Sequence, residues 1–291
     1  MNDELRRQCV SDGLDPVELE VLIHLALDED LRFGCDVTTA ATVPRGYSSK
    51  ARVVSREFGV VCGLTVATAV LDAADFALGG VTSVAHDGDR VAPGESVMNV
   101  EGPLEQLLLA ERTLLNFLSR MSGIATTTNA WVTALAGTGC HIRDTRKTTP
   151  GHRQLEKYAV RCGGGVNHRM GLGDAALVKD NHVAAAGGVS RAVAAIRRSH
   201  PDITLEVECD TVEQVREAVD SGCSLVLLDN MSVASIEEAL EVTAKNRNVR
   251  VEVSGGITFQ SARSIAELGV DYIAVGSLTH SIRTHDFGVD I

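Results

Sequence analysis

The chain has 291 residues, enough to bury a sizeable core as one large domain or two ordinary ones. Its formal charge of −12 and pI near 5.2 argue against nucleic acid or an anionic membrane surface as the main partner. No apolar run approaches transmembrane length, and the opening MNDELRRQCV lacks the apolar core of a signal peptide. Seven cysteines (9, 35, 62, 140, 162, 209 and 223) form no C-x-x-C pair, so neither a disulfide framework nor a zinc site is expected. These features point to a reducing compartment, the cytoplasm.

The first hundred-odd residues read as mixed α and β. Asp15-Pro16-Val17-Glu18 has the order of a helix N-cap, with proline at the first position and an acid after it. Leu19, Leu22, Ile23, Ala26 and Leu27 then form an apolar stripe at helical spacing. Strand-like runs follow at 51–56 and 60–62, then a helix over 65–76. The segment HDGDRVAPGESVMNVEG reads as a hairpin of two short β runs around Pro93-Gly94. No lysine sits at its turn to carry a lipoyl or biotinyl group. From Leu104 toward Ala136 an Ala- and Leu-rich stretch predicts two helices.

Beyond it the grammar changes. Short β-type runs recur at 140–143, 175–178, 204–207, 225–228, 249–253 and 272–275, with a seventh candidate at 165–168. Helical segments lie between them, including 211–220 with a Thr211/Gln214 capping box and one from about Thr258 to Gly269. Such alternation means parallel βα units, in a doubly wound sheet or a (β/α) barrel, and an incomplete barrel fits as well as an eightfold one. A polar residue follows every run: Arg146 and Lys147, Lys179, Glu208, Asp229, Ser254-Gly255-Gly256, then Gly276-Ser277. In a barrel those ends converge on one mouth.

The stretch from Arg143 to His182 holds eight Lys/Arg against four Asp/Glu, in a chain whose total is −12. Its arginines could clasp carboxylates or phosphates bidentately, or form ordinary salt bridges, the expected fate of Arg153 and Lys157. Ser254, Gly255 and Gly256, with Val275, Gly276 and Ser277, suit a phosphate at glycine-freed amides, though tight turns alone could explain them. Glu208 and Asp229 could present carboxylates to Mg²⁺ or ribose hydroxyls, or could cap helices. Arg112 lies on the apolar stripe of LLLAERTLLNFL, either snorkelling or delivered to a partner.

In order along the chain, EDLRFGCDVTT, ERTLLNFLSRMSGIAT, DTRKTTPG, KYAV, GGGVNHRMGLGDAALVKDNH, LLDN, SGGI and VGSLTHS resemble the quinolinate phosphoribosyltransferase family. The resemblance spans nearly the whole chain. It implies an α/β fold: an N-terminal α/β sandwich over 1–115 and a C-terminal open (β/α) TIM-like barrel over 116–279, with the tail 280–291 packing on the first domain. It also implies a homodimer with shared sites, and leaves open whether dimers assemble into a hexamer. Quinolinate and phosphoribosyl pyrophosphate would lie among Thr145, Arg146, Lys147, His168, Arg169 and Lys179, with Arg112 from the neighbouring chain. Glu208 and Asp229 would serve the ribose and Mg²⁺, and the two glycine loops the 5′-phosphate. The implied products are nicotinate mononucleotide, pyrophosphate and CO₂, on the de novo route to NAD, with no organic prosthetic group. His152 departs from the family pattern, which has leucine there. Three alternatives stay open: a Schiff-base aldolase using Lys179, a nicotinate-using phosphoribosyltransferase, and a non-catalytic anion binder.

Overall fold

A computed structural model of the chain describes residues 1–246 and 248–291. In chain order it begins with α1 (Asp3–Ser11), α2 (Pro16–Leu31), α3 (Val37–Thr42), β1 (Ser48–Ser55), β2 (Gly59–Val60) and α4 (Leu64–Ala73). There follow β3 (Val81–Ser83), β4 (Arg90–Val91), β5 (Ser96–Pro103), the long α5 (Leu104–Ala134), β6 (His141–Arg143) and α6 (Arg153–Cys162). Then come β7 (Ala176–Val178), α7 (Asp180–Ala186), α8 (Val189–Ser199), β8 (Leu205–Cys209), α9 (Val212–Asp220), β9 (Leu225–Asp229) and α10 (Val233–Thr243). The chain closes with β10 (Arg250–Ser254), α11 (Phe259–Ala266), β11 (Tyr272–Ala274), α12 (Ser277–His280) and β12 (Phe287–Asp290). Two compact units result: Met1–Asn129 with Thr148–Gly164 and Leu278–Ile291, and Ala130–Lys147 with Gly165–Ser277.

The first unit is an α/β sandwich whose antiparallel sheet has the order β12-β1-β5-β3. Helix α2 starts as the sequence predicts, with Asp15 accepting from the amides of Val17 and Glu18. It buries Leu19, Ile23 and Leu27 and leaves Val17, Val21 and Leu25 exposed. The predicted hairpin at 86–102 does not form, because its two runs pair elsewhere. β4 joins β2, while β5 lies between β1 and β3.

The stretch 104–136 is one helix where two were expected. Gly123 does not break it, since that glycine marks a close approach: a Cβ there would lie 2.4 Å from the carbonyl oxygen of Arg283. Three residues earlier on α5, Arg120 gathers the unit around itself. Its guanidinium donates to Glu156, to Thr149 Oγ1 at 2.8 Å and to the Thr279 carbonyl at 3.0 Å. Glu156 is 1% exposed and also accepts from the Thr149 amide at 3.1 Å. This buried pair, with every partner satisfied, ties 148–164 and the C-terminal segment to α5. The tail belongs with the first unit, in line with the expectation for 280–291, while the first unit also runs on past the predicted bound at 115 to Asn129 and takes in Thr148–Gly164 from the predicted 116–279.

The second unit is the open (β/α) barrel, a parallel six-stranded sheet of order β6-β11-β10-β9-β8-β7. The first strand pairs with the last, as closure demands, yet β6 and β7 are not paired. α6, the helix between them, is counted in the first unit. Only an isolated parallel bridge, Arg143 to Val166, stands where the predicted seventh strand at 165–168 would lie.

The role of Gly123 fixes the sign of a substitution. In an ordinary helix interior Gly→Ala stabilises by up to about 1 kcal/mol. Here Gly123→Ala should instead destabilise, by about 1–3 kcal/mol, because the added methyl meets backbone. Thermal and denaturant unfolding of the variant will show the direction.

Candidate functional site

Strands of a barrel point alternate side chains inward. A cavity of about 420 Å³ in the second unit follows that period of two. Leu177 and Lys179, Leu227 and Asp229, and Glu252 and Ser254 line it, with Glu208 and Ala274. The loop after β6 adds Thr145, Arg146 and Lys147, and the segment after Val166 adds His168 and Arg169.

The strand-end residues form the mouth. Lys179 and Glu208 make an ion pair, so the amino group is already engaged by a carboxylate. That pairing weighs against a Schiff base. Neither Glu208 nor Asp229 caps a helix: α9 is capped by Thr211 with Gln214, and α10 by Ser232. The Asp229 carboxylate accepts from Asn230 Nδ2 at 2.8 Å and has no cationic partner among the described residues. Asn230 in turn explains Gly255. The glycine has φ +85°, and a Cβ would come within 2.3 Å of Asn230 Oδ1.

Arg146 and Arg169 line the same mouth, and Arg169 donates to the Ala175 carbonyl at 3.0 Å. The Nε of Arg146 is buried and has no hydrogen-bond partner among the described residues. Burial first, then the charge of Arg146, pushes the Arg169 guanidinium below its ordinary pKa. Two guanidiniums that repel each other across a pocket make a place for an anion.

Beneath the mouth lies a second tier of charge. Glu252 is fully buried and Glu206 is 3% exposed, each with one oxygen lacking a hydrogen bond. Arg143 pairs with Glu252, and His168 Nε2 lies 2.9 Å from Glu206 and 3.7 Å from Glu252. His168 Nδ1 accepts from the Arg169 amide at 2.7 Å, which assigns the remaining ring proton to Nε2, facing Glu206. Asp144, wholly buried, holds the same segment by accepting from the His168 amide at 2.8 Å and Asn167 Nδ2 at 2.5 Å. Thus Asp144 fixes the backbone of His168 while Glu206 faces its ring.

Of the residues singled out from sequence, Thr145, Arg146, Lys147, His168, Arg169, Lys179, Glu208, Asp229 and Ser254 all line this cavity. Gly255, Gly256, Val275, Gly276 and Ser277 follow β10 and β11 but are not among its walls. Arg112 is exposed on α5 in the first unit, with no side-chain partner among the described residues. Arg153, Lys157 and Arg161 ride on α6 and also belong to the first unit. His152 stacks on Phe117 with ring centroids 6.1 Å apart, an apolar contact that a leucine could make. Sequence reasoning missed Glu206 and Glu252. Their signal was an acid two positions before a strand-end polar residue, inside strands buried on both faces.

The buried tier has a pH signature. Burial, then the charge of Glu206, raises the Glu252 carboxyl to about 7. Between the ordinary carboxylate range and that value the folded state holds a proton that the unfolded state has released. The stabilising contribution is therefore complete at low pH and is lost as pH rises through about 7. Denaturation from about pH 5 to about pH 8 should show falling stability, with a shallower fall in Glu252→Gln. Equal slopes would mean that Glu252 does not titrate there.

Comparison with known proteins agrees with this architecture. The family model for "Quinolinate phosphoribosyl transferase, C-terminal domain" matches residues 124–290, and that for the N-terminal domain matches 36–122. A nicotinate-nucleotide pyrophosphorylase [carboxylating] of Mycobacterium leprae is 49% identical, covering 92% of this chain and 95% of its own. A probable enzyme of the same name from Bacillus subtilis is 37% identical, covering 96% and 95%. Among solved structures, NadC from Streptococcus pyogenes superposes with a TM-score of 0.88 at 39% identity, over 96% of this chain and 97% of that one. The chain belongs to the quinolinate phosphoribosyltransferase family.

Proposed function

We propose that the chain transfers the phosphoribosyl group of phosphoribosyl pyrophosphate to quinolinate, with decarboxylation. The products are nicotinate mononucleotide, pyrophosphate and CO₂, on the de novo route to NAD. The observation that carries this reading is the Arg146 guanidinium, its Nε buried without a partner beside Arg169 in a cavity of about 420 Å³. Quinolinate is a dianion, and its co-substrate bears a phosphate and a pyrophosphate. One mouth must gather all of that charge.

The pyridine nitrogen attacks the anomeric carbon of the ribose as pyrophosphate leaves. Positive charge develops at that carbon, so positioning and electrostatics matter more than a general base. Arg146, Arg169 and Lys147 hold the anionic groups. Lys179, oriented by Glu208, adds a fixed positive charge at the mouth. Once the nitrogen is quaternary, the ring can accept the electron pair left at C2 as the neighbouring carboxylate departs as CO₂. No carbonyl cofactor is then required.

The donor set of Glu208 and Asp229 suits Mg²⁺: hard carboxylate oxygens, neither spent on a helix cap. These two residues would hold the ion, which when bound neutralises the departing pyrophosphate. Ser254, Gly255 and Gly256, with Val275, Gly276 and Ser277, would take the 5′-phosphate.

The homodimer belongs to the same reading. Val17, Val21 and Leu25 line the exposed side of α2, and Phe33 beyond it is 95% exposed, an apolar surface suited to a second copy. Arg112, exposed and without a side-chain partner among the described residues, is available to cross into the other copy's mouth. A cytoplasmic setting accords with seven cysteines that are all free thiols. Among the described residues no helix is long and apolar enough to cross a membrane.

A purified-enzyme assay with quinolinate, phosphoribosyl pyrophosphate and Mg²⁺, following mononucleotide and CO₂, tests the reaction. Nicotinate lacks the second carboxylate and forfeits a charge-assisted interaction of about 1.5–3 kcal/mol, so kcat/KM should drop about ten- to a hundredfold. Comparable use of both acids would favour the nicotinate-using alternative, and turnover of neither would favour the anion binder. The shared site is tested by mixing Arg112→Ala with Lys179→Ala. Each homodimer should be nearly inactive, while randomly exchanged subunits should recover about a quarter of wild-type activity, since half the dimers then have one intact site of two. Verified heterodimers that stay inactive would place Arg112 within its own chain's function.

A further inference from the structure

In the first unit, far from one another in sequence, Cys62 and Cys162 meet. Their sulfurs and a carboxylate oxygen of Asp87 all lie within 4.8 Å of one another. Cys62 sits between β2 and α4, fully buried, its amide donating to Ser122 Oγ at 2.8 Å. Cys162 ends α6 and is partly exposed. Nothing in the proposed phosphoribosyl transfer uses either thiol.

Three ligand types so close together raise the question of a metal. The Asp87 carboxylate answers it. One oxygen accepts from the Gly63 amide at 2.9 Å and Tyr158 Oη at 2.8 Å, and the other accepts from the Leu64 amide at 3.0 Å. It is already committed to holding the start of α4, so what remains is a pair of sulfurs with a carboxylate beside them.

We propose that Cys62 and Cys162 form a redox-active dithiol that closes reversibly to a disulfide by exchange with a low-molecular-weight disulfide. Cys162 is the attacking sulfur. It is the accessible one, and its neighbour Cys62, by hydrogen bonding, pulls its pKa below the ordinary thiol value. Its thiolate, formed by loss of the Cys162 proton to solvent, attacks one sulfur of the reagent, forming a mixed disulfide and expelling one thiolate, which takes up that proton. Cys62 then gives its proton to Asp87, whose own pKa burial raises, and attacks the Cys162 sulfur. The second reagent thiolate leaves and takes up that proton. The protein loses two electrons and two protons, and the reagent becomes two thiols. Cys9, Cys140, Cys209 and Cys223 are buried, and burial pushes each thiol upward in pKa, so none competes as attacker.

The test uses the full chain treated with oxidised glutathione, blocked with an alkylating reagent, digested and analysed by mass spectrometry. The expected product is a peptide pair joining Cys62 to Cys162, lost again on treatment with dithiothreitol. In Cys62→Ser, circular dichroism first establishing that it is folded, Cys162 should instead accumulate a stable glutathione adduct. Exposed Cys35 serves as the internal control for reagent activity. Glutathione on Cys35 with both Cys62 and Cys162 still alkylatable as thiols would overturn the proposal. So would stoichiometric zinc in the purified protein that shields both sulfurs from either reagent.

Discussion

A buried guanidinium nitrogen with no acceptor is costly, and Arg146 carries one in the wall of the barrel mouth. The rest of the second unit is arranged to make that cost useful. Arg169 stands close enough to be destabilised by it, and Lys147 opens from the same loop. A ligand with several negative charges relieves the repulsion that the free protein must bear. This is why an acidic chain concentrates arginine in one segment while its other surfaces discourage polyanions such as nucleic acid.

Such a mouth needs a rigid base, and the lower tier supplies it. Glu206 and Glu252 are buried one strand residue-pair below the rim, where unpaired carboxylates would be untenable. Arg143 pairs with Glu252, His168 Nε2 faces Glu206, and Asp144 clamps the backbone that carries His168 and Arg169. The opening of the barrel follows from the same chain path. Among the described residues β6 pairs with no strand on its second side, where the segment 165–169 makes a single bridge through Val166. A residue delivered this way is free of strand register, which suits His168 and Arg169 to lining a pocket.

Much of this was legible in the sequence because strand ends announce themselves. Lys179, Glu208, Asp229 and Ser254 each follow a β-type run, and the period-two pleat brings them to one rim. The same runs announced a (β/α) barrel but left an incomplete and an eightfold one equally open; the sheet has six strands. What could not be read depended on tertiary context. The stretch 104–136 read as two helices, and the contact of Gly123 with the Arg283 backbone inside a single helix carries no local signal. The runs at 90–91 and 96–103 looked like a hairpin, yet their partners lie far along the chain. Glu206 and Glu252 resemble ordinary alternating polar residues unless both faces of their strands are known to be buried. Cys62 and Cys162, a hundred positions apart, carry no local signal.

The central claim is that the mouth is a charge trap for a dianion, built around Arg146. Calorimetric titration of quinolinate into the wild-type protein and into Arg146→Ala measures it without reference to turnover. The account predicts that the variant, still folded by circular dichroism, binds about ten- to a hundredfold more weakly, the loss of one charge-assisted interaction. Undiminished affinity in Arg146→Ala would contradict it.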